Sequence, residues 1–134
     1  MSCGVPQGSI LGPLLFLCYI NDIYKCSTII KFILFADDTT LLFSAKSLDA
    51  LFATVNKELI LISDWFKANK LSLNTNKTNL IIFRSKIPNN AESQIKFDNS
   101  PIANVTCAKF LRVEIDSELN WKKHISTIQK KYSA

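Results

Sequence analysis

The sequence predicts an α+β fold, and three observations carry that expectation: an N-terminal stretch apolar on every side, several short β-rich runs separated by polar turns, and one long stretch with an apolar residue at every third or fourth position. The chain has 134 residues, 48% of them hydrophobic, which is enough for one compact core and too little for two. Three glycines and four prolines exclude a collagen-like or low-complexity chain.

The elements follow in order. All three glycines, Gly4, Gly8 and Gly12, fall in the first thirteen residues, so backbone there is expected to pass close to something. Ser9 is placed to cap a helix running to about residue 23, and Pro13 is tolerated only in its first turn. Leu14, Leu15, Phe16, Leu17, Tyr19 and Ile20 make that helix apolar all round, which predicts burial. Residues 29–35 and 39–43 are rich in Ile, Phe, Leu and Thr and flank Asp37-Asp38, the pattern of a β-hairpin with both acids at its tip. Ser47 is a cap for a second helix, to about residue 70, whose Leu48, Leu51, Val55, Leu59, Ile62 and Phe66 form one apolar face. Asp49 suits the positive N-terminal end of that helix. Strands are expected at 71–73 and 80–83, joined across 74–77, and again near 95–97 and 110–115 with a turn at 98–101 between them. A last helix starts near Trp121.

Sixteen basic residues against eleven acidic ones leave a net charge of +5. Residues 1–66 carry −2 and residues 67–134 carry +7, so the second half is suited to a polyanion, although a solvated lysine face accounts for the same charges. Cys3, Cys18, Cys26 and Cys107 contain no C-x-x-C pair, which argues against zinc and against a disulfide framework and for a reducing compartment, with Cys18 expected in the core. No basic region precedes the apolar run 10–20, and that run is shorter than the ~20 residues that cross a bilayer. The expectation is a soluble, intracellular protein of nucleus or cytoplasm, neither secreted nor membrane-bound.

Asp37-Asp38 is the sharpest chemical feature. Two carboxylates ~4 Å apart at an effective dielectric of ~20 repel by roughly 4 kcal/mol, so such a pair is stable near neutral pH when a divalent cation neutralises it, and oxygen ligands suit Mg²⁺. A solvated turn that uses Asp as a turn former is the other reading of the dipeptide alone.

The glycine-rich block Gly4-Val5-Pro6-Gln7-Gly8-Ser9-Ile10-Leu11-Gly12-Pro13, followed by Phe35-Ala36-Asp37-Asp38-Thr39, resembles the palm of a reverse transcriptase. Trp65, Asn69-Lys70-Leu71-Ser72-Leu73-Asn74, Lys77-Thr78, Phe110-Leu111-Arg112-Val113-Glu114-Ile115-Asp116 and Leu119-Asn120-Trp121-Lys122-Lys123-His124-Ile125 continue the likeness in order. Together the blocks look most like the polymerase of non-LTR (long interspersed) retrotransposons. The resemblance implies a partial polymerase palm over residues 1–120, an antiparallel sheet with a catalytic hairpin packed on two helices plus a primer-grip hairpin, and the start of a thumb helix over 121–134.

It also implies roles. Asp37, and with less weight Asp38, would help hold two Mg²⁺ ions for transfer of a nucleotide from a dNTP to a primer 3′-hydroxyl. Gly4, Pro6, Gln7, Gly8, Phe35, Ala36 and Lys77 would lie at the nucleotide and template, and Phe110, Leu111 and Arg112 would form the primer grip. Phe35 stands where Tyr is common, and Arg112 where the family usually has Gly. Trp121 fits the start of the thumb, while His124 reads as a packing or surface residue. Lys122, Lys123, Lys130 and Lys131 are placed to follow a nucleic-acid backbone in a salt-dependent way. The implied partners are an RNA template, a DNA primer and the remaining fingers and palm. A further catalytic Asp belongs to a family segment preceding residue 1, so the fragment is expected to be inactive alone. The competing expectation is a non-catalytic, nucleic-acid-binding remnant of a retrotransposon.

Overall fold

The computed structural model describes residues 8–83 and 95–132. Helices and short strands are both present, as the α+β reading requires. The chain divides into two compact units, Met1–Leu71 and Ser72–Ala134, each with its own buried cluster where the length had suggested a single core.

In the first unit α1 spans Leu11–Ile20, and a 3-10 turn follows at Ile23–Cys26. Ser9 sits one residue too early to be the cap: Ile10 takes that position in helical conformation, while the Ser9 Oγ accepts the Leu11 N–H at 3.3 Å. The helix is not buried on every side. Only Ile20 is fully covered, and Leu11, Leu14, Leu15, Leu17 and Tyr19 remain 45–60% exposed. Apolar composition sets what a helix gains by burial, but burial all round also needs elements on every side. Cys18, expected in the core, is exposed for the same reason.

β1 (Lys31–Phe35) and β2 (Asp38–Leu42) form an antiparallel pair in the register Lys31↔Leu42 to Phe35↔Asp38. α2 (Leu48–Ala68) begins as expected, with the Ser47 Oγ accepting the Ala50 N–H at 3.3 Å and Asp49 in the first turn. Its buried residues Val55, Leu59 and Ile62 recur at the expected spacing, and Glu58 and Ser63 share that face. Ile20, Ile23 and Ile30 complete the buried cluster of this unit. Each such side chain contributes about 1.5–3 kcal/mol on burial. The C-terminus of α2 closes with Lys70 N–H donating to the Lys67 carbonyl and Leu71 N–H to the Phe66 carbonyl, a Schellman pattern. Lys70 takes the left-handed position (φ 53°) that glycine usually fills. The Tyr19 hydroxyl donates to the Asn69 carbonyl and fixes α1 to this helix end.

The second unit departs further from the sequence reading. Residues 71–73 form no strand; a 3-10 turn at Thr75–Lys77 leads into β3 (Asn79–Leu80), which pairs in parallel with β6 (Ala103–Asn104). β4 (Lys96–Phe97) and β5 (Ser100–Pro101) form a hairpin on Asp98-Asn99. The expected strand at 110–115 is instead a turn and the second arm of a hairpin, β7 (Cys107–Phe110) with β8 (Val113–Asp116). α3 covers Lys122–Tyr132. Among the described residues the strands form four two-stranded sheets, three of them antiparallel and one parallel. In two of these sheets, β3–β6 and β4–β5, the strands are only two residues long, too short for a ladder to recruit further neighbours. Ile82, Ile95, Phe97 and Ile102 are the buried cluster here, tied by the Ile102 N–H donating to the Ile95 carbonyl at 3.1 Å.

Candidate functional site

The β1–β2 hairpin turns in two residues, Ala36 and Asp37. Asp38 is therefore not in the turn but is the first residue of β2, opposite Phe35. The two acids are still adjacent at the tip, one on the turn and one at the strand end. Ala36 is left-handed (φ 51°), the sign that primed hairpin turns demand and usually satisfy with Gly or Asn. An Ala there costs about 1–2 kcal/mol.

Phe35, Ala36, Asp37 and Asp38 are all exposed, Phe35 at 55%. Neither carboxylate bonds to another described side chain or backbone group, so both are free to take a ligand. Mg²⁺ is commonly held by one or two carboxylates together with substrate phosphates, not by a closed protein cage. Two adjacent, hard, exposed oxygen donors fit that pattern. Among the described residues no third His, Cys, Asp or Glu joins them in a cluster able to hold a metal by itself.

The other expected site residues are distributed as follows. Gly8 has φ +86°, and a side chain added there would meet nothing within 4 Å; conformation, not crowding, calls for glycine at this point. Gly4, Pro6 and Gln7 lie outside the described residues. Lys77 is exposed at the end of the 3-10 turn, where its N–H donates to the Asn74 carbonyl at 3.1 Å. It belongs to the second unit, as do Phe110, Leu111 and Arg112. These last three sit together at the tip of β7–β8, where Leu111 and Arg112 are the two turn residues and both are left-handed (φ 47° and 69°). Arg112 thus occupies a position that glycine fits best, and the hairpin closes without it.

One constellation was not anticipated from the sequence. Asp116 Oδ1 accepts the N–H groups of Glu118 and Asn120 at 3.0 and 3.1 Å, and Asn120 Oδ1 accepts the Lys122 N–H at 3.1 Å. This relay delivers the chain from β8 into α3. The signal was available in Asp116 and Asn120, short polar side chains of the kind that bond backbone N–H groups two residues further on.

Elsewhere, the Cys26 thiol is pushed above its ordinary range, first by burial and then by the negative charge of Asp22. No described helix is long and apolar enough to cross a membrane.

The family model for reverse transcriptase (RNA-dependent DNA polymerase) matches residues 1–115. A probable RNA-directed DNA polymerase from transposon X-element of Drosophila melanogaster is 27% identical over an alignment covering all of this chain and 15% of the relative. A probable RNA-directed DNA polymerase from transposon BS of the same organism is 29% identical over 93% of this chain and 15% of its own length. The RNA-directed DNA polymerase from mobile element jockey is 24% identical over 98% of this chain. The chain thus spans about 15% of the length of these relatives. No solved structure matches.

Proposed function

The chain belongs to the reverse transcriptase family, and on that premise we propose that it is the C-terminal palm portion of a non-LTR retrotransposon polymerase that copies RNA into DNA. The observation that carries the reading is the exposed Asp37-Asp38 pair on a strained two-residue hairpin tip, with neither carboxylate engaged by another described group. Residues 1–120 would be palm and 121–134 the start of the thumb.

In this reading Asp37 is the principal metal ligand and Asp38 supports it. Bound Mg²⁺ supplies charge neutralisation and a lowered pKa for the primer 3′-hydroxyl. The rest falls to the protein. Phe35 and Ala36 present an apolar, small surface next to the acids for the primer end and nucleotide. Gly4, Pro6, Gln7 and Gly8 contribute backbone and amide contacts to the incoming dNTP and the template. Lys77 balances phosphate charge, and its position at a turn leaves its ammonium free to move toward a triphosphate. Phe110, Leu111 and Arg112 hold the primer strand. Phosphoryl transfer is dominated by positioning and charge stabilisation, so displacement of the groups at the metal and the triphosphate lowers the rate, whereas loss of Arg112 weakens the hold on the primer strand.

The test is primer extension on an RNA template by a longer polymerase containing this chain. Extension should require Mg²⁺, cease with chelator, and fall by at least about a hundredfold in Asp37→Asn. Undiminished extension in that variant would refute the assignment. Salt-sensitive binding with no extension even in the wild type would favour the non-catalytic remnant instead.

A further inference from the structure

We propose that a second copy of this chain pairs antiparallel with the outer edge of β1, joining two hairpins into one four-stranded sheet. This rests on the first unit alone and does not depend on the polymerase reading.

β1 and β2 pair with each other and, among the described residues, with no third strand. No residue of either strand is fully buried, although four of the five residues of β1 are Phe, Ile or Leu. A hairpin of two strands is marginally stable in water and gains from a third. In a two-residue turn the closing pair, here Phe35 and Asp38, is hydrogen-bonded, and bonded pairs alternate from there along the ladder. Phe32 and Leu34 therefore turn their backbone groups outward from β1, and Thr39 and Leu41 turn theirs outward from β2. Sheet edges are usually shielded by a proline, a bulge or a charge within the strand. β1 has none of these: its register with β2 is unbroken, and its one charge, Lys31, stands at the end away from the tip.

The residues of β1 suit a copy of themselves. Antiparallel pairing centred on Ile33 sets Phe32 opposite the second copy's Leu34, so the outward backbone groups of both edges bond and two apolar side chains meet. On the other face Lys31 lies opposite the second copy's Phe35, whose own hairpin partner is Asp38. Each Lys31 is then two strand spacings, about 10 Å, from an acidic tip of the other copy. That is about one Debye length at 0.1 M salt, so the attraction survives screening in part. Parallel pairing would set Lys31 beside Lys31 and acidic tip beside acidic tip. The edge of β2 presents Thr39 and Leu41 in place of Phe32 and Leu34, and so offers less apolar surface. In the paired sheet the two tips stand at opposite ends, and each stays open.

The experiment is sedimentation equilibrium on the 134-residue chain between about 1 and about 100 μM. The mass should rise with concentration and stop at twice the 15.1 kDa of one chain. Lys31→Glu should weaken the dimer by about tenfold at low salt, and adding Asp38→Lys should restore most of that loss. Leu34→Pro removes an outward N–H of β1 and should abolish the dimer, whereas Leu41→Pro removes the equivalent donor of β2 and should leave it intact. Unchanged helical circular dichroism shows that a proline variant is folded; if one is not, the exposed Lys31→Glu decides. A chain that is monomeric at the highest concentration, or oligomers that grow beyond two, would overturn the proposal. So would a dimer indifferent to Lys31→Glu, or one lost in Leu41→Pro and kept in Leu34→Pro.

Discussion

The β1–β2 and β7–β8 hairpins both close on two-residue turns, yet one presents Ala36-Asp37 followed by Asp38 and the other Leu111-Arg112. A third hairpin, β4–β5, supplies the reference. It turns on Asp98-Asn99, both left-handed (φ 46° and 64°), and these are residue types that tolerate that conformation. Against this relaxed turn the other two are strained: Ala36 carries one unfavourable φ, and Leu111 with Arg112 carry two. Turn stability therefore does not account for the residues at either tip. What the two tips share is an exposed charge held out on a short hairpin, negative on one and positive on the other. A two-residue turn leaves these groups little freedom to retreat, which suits ligand contact better than it suits folding.

The comparison can be broken or sharpened by exchanging tip residues. The largest effect should come from Asp37→Asn in a longer polymerase, with a rate loss of at least about a hundredfold, whereas Arg112→Gly should leave the single-turnover rate at saturating primer–template nearly intact. Equal losses in both would erase the distinction between the tips. Next, replacing Leu111-Arg112 by Asn-Gly should stabilise the chain by about 2 kcal/mol in equilibrium urea unfolding, since two strained residues are relieved at once. Ala36→Gly should gain less, about 1 kcal/mol by the same measurement, because only one residue is relieved and glycine adds unfolded-state entropy.

The smallest effect concerns Cys26. Its thiol is raised in the folded chain, so the protonated form is the one folding favours. The associated stabilisation is present below the unfolded thiol pKa and is lost as pH rises through the folded one. Alkylation of Cys26 near pH 8 should accordingly be slower in the native chain than in urea, with the difference shrinking at higher pH. Faster alkylation in the native chain would contradict the direction.

How much was legible depended on how local the cause was. α2 could be read because its apolar face repeats within the helix and Ser47 caps it from one residue away. The β1–β2 hairpin could be read because its two apolar runs flank a polar pair. α1 was misread since composition records an appetite for burial and not the presence of a cover. The end of β7 was opaque because Leu111 and Arg112 take left-handed conformations that their side chains do not advertise. β3 and β6 pair in parallel from distant parts of the chain over two residues each, too short for any alternation to show. Asp37 and Asp38 were legible as an exposed acidic pair at a hairpin tip, because two apolar runs flank them. That they divide between a turn and a strand end was not, because the register depends on a single left-handed Ala36.

The central claim is that the Asp37-Asp38 tip holds the catalytic metal, and Fe²⁺ substituted for Mg²⁺ tests it most directly. In a longer polymerase bound to primer–template and dNTP, iron with ascorbate and peroxide should cleave the backbone around residues 35–39, and Asp37→Asn should abolish that cleavage. Scission confined to other segments, or undiminished at the tip in the variant, would contradict the account.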